Sequence, residues 1–419
     1  MSALPTHRLG EIDATDVRAD FPALRRRVHG HPYTYLDSAA TSQRPRQVLA
    51  AMNTFFRRSN ANIHRGVYVA AEEATALYEG ARDKVAALLD VADRGEIIYT
   101  RNTTEGLNLV AYAYGETFLG EGDAILVSEA EHHSNLVPWQ RVAERRGLRL
   151  EVLPVTDDGL LDLSGLDATL ARGVRLVALS QVSNVLGSEA PIREIAARAH
   201  AAGAVVVVDA AQSVPHMPVH PRELGVDFLA FSAHKMLGPT GIGILWGRRE
   251  LLEAMPPFLS GGDMIGSVHL RSSTYAALPN KFEAGTPAIA EAIGLGAAVD
   301  YLAGLGLEAV ERHTRRLAMA MAEELAGIPG VTVYGPPAGR PRHGVVAFNV
   351  DGVHAHDVAT LLDGQGVAIR AGHHCAQPLM DRYGVPAMAR ASVYVYNREQ
   401  DVDRLVAAVR HVQTVFGGV

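Results

Sequence analysis

Cysteine is nearly absent, with one residue, Cys375, in a chain of 419. A single thiol excludes an intrachain disulfide and a Cys-rich zinc site, so it is either reactive or a small buried hydrophobe. Long apolar runs are lacking too: none approaches the ~18 residues of a membrane span. The opening segment, Met1 to Asp20, has no apolar core of the kind a secretory signal carries. Basic blocks are missing, the net charge is −7 and aromatics make up 6%, which leaves nucleic-acid and anionic-membrane binding without electrostatic support. No resident metal site is read. A cytoplasmic globular protein is expected, long enough for two or three domains.

What is present is an alternation of strands and helices. Strands are predicted at Glu96–Thr100, Ala124–Ser128, Arg149–Val155, Arg175–Gln181, Ala204–Asp209, Asp227–Ser232 and Gly241–Trp246, with helices starting near Glu105, Leu136, Leu163 and Ile192. That order predicts an α/β fold with a large, mostly parallel sheet covered by helices. After Gly285-Thr-Pro287 one long helical region, Ala288 to Leu325, precedes shorter strands and helices, predicting a smaller α+β domain. The expected division is a large domain over 27–300 and a small one formed by 1–26 and 301–419. Gly261-Gly262 and the segment 371–378 are expected to be loops.

Several strand ends carry residues with chemistry, and strand C-termini are where open α/β sheets bind ligands. Ser232-Ala-His-Lys235 taken alone is most simply a solvated surface lysine. Asn102-Thr103-Thr104-Glu105 opens a helix, where free N–H groups suit a phosphate; plain capping by Thr103 or Thr104 is the alternative. Glu131-His132-His133 offers a histidine to lie against a planar ring, or a structural one. Asn184 follows another strand. Asp209 ends the apolar Ala204–Val208 run, where a carboxylate can keep a pyridine nitrogen protonated, and Gln212 lies three residues on. Phosphate cradle, ring stacker, pyridinium partner and lysine thus each follow a strand of one sheet, which makes their separate bland readings improbable together.

In order, Asn60-x-x-x-His64-Arg65-Gly66, Asn102-Thr-Thr-Glu105, Glu131-His-His133, Asp209-Ala-Ala-Gln212, Ser232-Ala-His-Lys235, Phe282-Glu-Ala-Gly-Thr-Pro287 and Arg370-Ala-Gly-His-His-Cys-Ala-Gln-Pro378 resemble the class V aminotransferase-fold enzymes, and more narrowly the SufS-type, or group II, cysteine desulfurases. The resemblance runs from about Asp20 to Phe416. It implies the fold type I architecture of pyridoxal 5′-phosphate (PLP)-dependent transferases and a homodimer. Lys235 would be the Schiff-base lysine, Asp209 the pyridinium partner, Gln212 the phenolate contact and His132 the ring stacker. Thr103, Thr104, Ser232 and His234 would surround the phosphate, with Thr286 reaching the other subunit's site. Asn184 and Arg390 would bind the substrate carboxylate, with Arg65 and Arg370 near the cysteine.

The implied reaction converts L-cysteine to L-alanine, leaving a persulfide on Cys375 and supplying sulfur for iron–sulfur cluster assembly in a SUF system. Selenocysteine lyase activity is an expected companion, since selenium leaves more readily. A sulfur-acceptor protein is implied, the zinc-containing SufU type favoured over the SufE type. His356 is the residue proposed to exchange onto the acceptor's zinc; the plainer reading is a surface turn in which Asp357 caps the following helix.

Overall fold

The structure is a computed structural model and describes residues 12–337 and 339–417; the N-terminal extension before Ile12 lies outside it. Seven strands form the main sheet in the spatial order Ile97–Thr100, Gly243–Gly247, Phe228–Ser232, Val205–Asp209, Val174–Ser180, Ala124–Ser128 and Arg149–Leu153. All run parallel except Gly243–Gly247, which is antiparallel to both neighbours. The α/β expectation therefore holds, with one reversed strand that a β/α alternation cannot reveal.

The apolar runs build this sheet because successive side chains point to opposite faces. Leu126, Val177, Val206, Val208, Leu229 and Phe231 pack into one core cluster. Their chain neighbours Ile125, Val127, Leu176, Ala178, Val207, Phe228 and Ala230 pack into another. Burial on both faces leaves the strand ends as the accessible part of the sheet.

The smaller sheet is antiparallel, ordered Val331–Tyr334, Val345–Val350, Met388–Ser392 and Arg370–Gly372, with its own apolar cluster. The expected boundaries at residues 27 and 300 are too clean. Thr34–Tyr35 pairs in parallel with Val367–Ala368, so a segment assigned to the large domain runs with the small one. Conversely, Val17, Phe21 and Leu24 belong to the large-sheet cluster, where the Phe21 ring meets Tyr301 and Tyr396 edge-on at 6.0 and 4.8 Å. Extended ends that cross a junction satisfy backbone groups on both sides, and amphipathic periodicity does not register them.

The predicted long helix is two, Ile289–Leu305 and Leu307–Ala326, bent by 78° at their break. Gly306 stands there at φ +81°, outside the helical range of L-residues. No single helix among the described residues is long and apolar enough to cross a membrane. The Gly261-Gly262 segment leads into a hairpin, Ile265–His269 with Ser272–Tyr275, absent from the sequence prediction because its strands carry little apolar alternation.

Candidate active site

The C-terminal ends of five main-sheet strands and the edge of the small sheet enclose a cavity of about 650 Å³. Thr103, Thr104, His132, Asn184, Asp209, Gln212, Ser232, His234, Lys235, His356, Arg370, Cys375 and Arg390 all line it. Two predicted residues do not. Thr286 lies in a separate cavity with Tyr99, Arg101 and Phe258, and Arg65 is largely exposed and paired with Asp263 at 3.2 Å.

Lys235 follows the buried strand Phe228–Ser232 through one 3₁₀ turn. Burial drives its amine down to about 8, against the opposing pull of the Asp209 carboxylate. The surface lysine of the bland reading is thus a desolvated amine, neutral in part near pH 7 and able to act as a nucleophile. Asp209 is buried, which raises its own carboxyl, with Lys235 opposing. One oxygen accepts the Ala211 N–H at 2.9 Å. Gln212 donates from Nε2 to the Ala39 carbonyl at 2.8 Å, which orients its amide.

The helix Thr103–Val110 is capped by Asn102, whose Oδ1 accepts the Glu105 N–H at 2.9 Å, so neither threonine is the cap. Both hydroxyls are released to the cavity side: Thr103 Oγ1 meets Ser232 Oγ at 2.6 Å and Thr104 Oγ1 meets Ser134 Oγ at 2.7 Å. Four hydroxyls beside a helix N-terminus are the donor set a phosphate dianion needs. A buried carboxylate, a desolvated lysine and this cradle in one cavity fit pyridoxal phosphate, and no residue of the set conflicts with it.

The two adjacent histidines divide as their geometry dictates. His132 Nδ1 accepts the Ser134 N–H at 3.0 Å, which leaves the proton on Nε2. Burial, with Lys235 adding to it, depresses His132 to about 3, so a neutral ring faces the cavity. His133 turns instead to the cysteine segment, its ring Nε2 accepting the Gln377 N–H at 3.1 Å while its backbone N–H donates to the Cys375 carbonyl at 2.6 Å. Beneath them Glu131 is buried and accepts from Ser128, Ser180 and Asn135 at 2.6, 2.7 and 2.7 Å. Burial pushes Glu131 up to about 7, against those three donors.

Cys375 is exposed. His374 and Cys375 have φ of 51° and 56°, in the left-handed region where a non-glycine residue is held only by surrounding contacts. Those contacts are present: Asn184 Nδ2 donates to the His374 carbonyl at 2.8 Å, His374 Nε2 bonds the Met388 carbonyl at 2.8 Å, and the Cys375 N–H donates to His373 Nδ1 at 3.1 Å. Arg390 is buried and donates to the Asn184 carbonyl at 2.9 Å. Burial lowers it to about 10, so it is charged at neutral pH. Asn184 therefore ties the arginine to the cysteine segment.

His356 shares the cavity, with Nε2 4.0 Å from where a Cβ on Gly372 would stand. The helix Ala355–Gly364 is capped by His354, whose Nδ1 accepts the His356 N–H, and not by Asp357. Sequence reasoning missed Asp37, which pairs with Arg370 at 2.9 Å and Arg390 at 3.4 Å. It also missed Arg342, buried and donating to the carbonyls of Leu186, Tyr334 and Pro336. Asp37 lies just past the short strand Thr34–Tyr35, a strand-end position that is a signal; Arg342 had none, since its acceptors are backbone atoms.

The aminotransferase class-V family profile matches residues 34–405. A probable cysteine desulfurase of Streptomyces coelicolor is 49% identical over 422 aligned positions covering all of both chains. The crystal structure of the Escherichia coli cysteine desulfurase CsdA, in S-sulfonic acid form, superposes with a TM-score of 0.89 at 43% identity, covering 96% of this chain and 99% of that one. A Thermococcus onnurineus cysteine desulfurase in the apo state gives 0.91 at 41% identity, covering 96% and 98%. A full-length relationship of this strength, on a chain whose strand ends gather the lysine, carboxylate and hydroxyl set just described, places the protein in the class V aminotransferase family.

Proposed function

We propose that this chain is a PLP-dependent cysteine desulfurase of the SufS type, which converts L-cysteine to L-alanine and captures the sulfur on Cys375. The observation that carries the reading is the position of an exposed thiol and a desolvated lysine in one cavity, which the buried Arg390 guanidinium also lines. When bound, PLP supplies an electron sink for the pair left at the substrate Cα once its proton departs.

The residues divide the remaining work. Lys235 would hold the cofactor and, once freed, take the Cα proton at Nζ, a role its lowered basicity suits. Asp209 would keep the ring nitrogen protonated, and His132, neutral, would lie against the ring without adding charge. Thr103, Thr104, Ser232 and His234 would hold the phosphate. Arg390, with Asn184 beside it, offers a guanidinium fork to the substrate carboxylate. Cys375 acts as a thiolate whose sulfur attacks the substrate's; the substrate Cβ–S bond breaks with its electron pair staying on carbon, which takes up a proton to become alanine's methyl group, and a persulfide is left on the protein.

Thr286 and Arg65 lie outside the cavity of their own chain, which supports a homodimer in which they reach the partner's site. A lone reactive thiol suits a reducing cytoplasm. His356, in the same cavity as Cys375, supports a SufU-type acceptor over a SufE type within a SUF system for iron–sulfur assembly. The test is incubation with L-cysteine: with reductant present alanine and sulfide should appear in equal amounts, and with reductant omitted an added sulfur should be trapped on Cys375 by alkylation and mass measurement. A Cys375→Ala variant with full activity would remove the assignment. Stimulation by the SufE type alone would remove the role of His356.

A further inference from the structure

Arg370 and Arg390 stand directly opposite each other on neighbouring antiparallel strands, an arrangement in which like charges destabilise a sheet. Asp37 resolves it. Its backbone is held against the same sheet by a bridge to Ser392 and by Ser392 N–H to the Leu36 carbonyl, and against the neighbouring strand Val367–Ala368 by Leu36 N–H to the Ala368 carbonyl, so its carboxylate projects from a fixed backbone. The sharing is unequal. Arg370 grips Asp37 through Nε at 3.1 and 3.2 Å and Nη2 at 2.9 Å, whereas Arg390 reaches it only at 3.4 Å. Arg390 Nε is buried and has no hydrogen-bond partner among the described residues, so this guanidinium keeps donor capacity that an incoming carboxylate can use.

Arg370 opens the strand Arg370–Gly372 that leads straight into Cys375. Asp37 thus touches both the group that binds substrate and the root of the segment that takes the sulfur. We propose that Asp37 is a positioning residue that anchors Arg370 at the start of the cysteine segment while weakening the hold of Arg390 on the substrate carboxylate. It exchanges substrate affinity for sulfur transfer. This inference rests on the desulfurase reading for the identity of the substrate, and on the arginine geometry alone for the rest.

The prediction has a sign that a merely structural role does not share. In Asp37→Asn holoenzyme a negative charge beside the carboxylate site is gone, so KM for L-cysteine and Kd for L-alanine, read by cofactor absorbance, should fall about three- to tenfold. Over the same change kcat for sulfide release should fall about tenfold through lost positioning, and the rate of Cys375 alkylation by iodoacetamide should change about threefold or more. Asp37→Glu should recover much of kcat. Arg370→Gln, which leaves Asp37 to Arg390 alone, should move alanine Kd upward instead. A rise in KM alongside the fall in kcat, or unchanged alanine affinity and alkylation, would overturn the proposal. If wild-type protein yields no sulfide from cysteine, the desulfurase reading fails, while the alanine-binding and alkylation measurements still decide Asp37.

Discussion

Glu131 gives the sharpest test of how the site is held. It is 1% exposed, and three donors satisfy its carboxylate, yet burial still lifts it from 4.5 to about 7. A carboxylic acid whose folded value is raised binds its proton more tightly in the native state. Its contribution to stability is therefore complete at low pH and is lost as pH rises from the unfolded value through about 7. The full loss is about 3 kcal/mol, at 1.36 kcal/mol per unit, and about 2 kcal/mol of it falls between pH 5.5 and 8.5. Glu131→Gln is isosteric and cannot ionise. Its amide oxygen can accept from Ser180 and Asn135, and its NH₂ can donate to a rotated Ser128 hydroxyl.

The assay is urea unfolding of wild type and variant side by side from pH 5.5 to 8.5, taking the difference so that all other titrating groups cancel. The variant should gain about 2 kcal/mol on wild type across that range, and should retain cofactor, since Glu131 does not line the cavity. A difference that stays flat with pH would show that Glu131 does not titrate there, and that its three donors outweigh its burial.

Other expectations follow from the same geometry. Cys375→Ala should keep the cofactor's colour and lose cysteine-dependent sulfide release, measured by sulfide and spectrum on one sample. Lys235→Ala should lose both covalent cofactor attachment and turnover; in wild-type apo-protein the rate of cofactor capture should rise with pH around 8 instead of near 10.5, because burial lowers the amine. Asn184→Ala removes the 2.8 Å bond that restrains the His374 carbonyl. It should raise KM for cysteine about tenfold and speed alkylation of Cys375. Arg342→Met strips donors from three carbonyls, each worth about 1–3 kcal/mol if left unsatisfied, partly offset by no longer burying a charge, so a net loss of roughly 2–4 kcal/mol is expected in denaturant unfolding.

Much of this protein is legible in its sequence because the main sheet is buried on both faces. Such strands must be short continuous apolar runs, and the residue at the end of each run must stand at the ligand-binding edge. Asp209 is placed by that rule, Lys235 by its company with the other strand-end motifs, and the order of the motifs supplies the family. What periodicity could not supply is anything that depends on two distant segments meeting. The pairing of the reversed strand Gly243–Gly247 with Ile97–Thr100 and that of Thr34–Tyr35 with Val367–Ala368 are of this kind. So is the division between His132 and His133, which differ in role because one has the Ser134 N–H to bind and the other the cysteine segment. Residue order is enough to say which chemical groups exist and which of them end the strands of the main sheet. Tertiary structure decided their protonation and pairing: burial set Lys235 and Glu131, and the strand register that sets Arg370 against Arg390 created the need for Asp37.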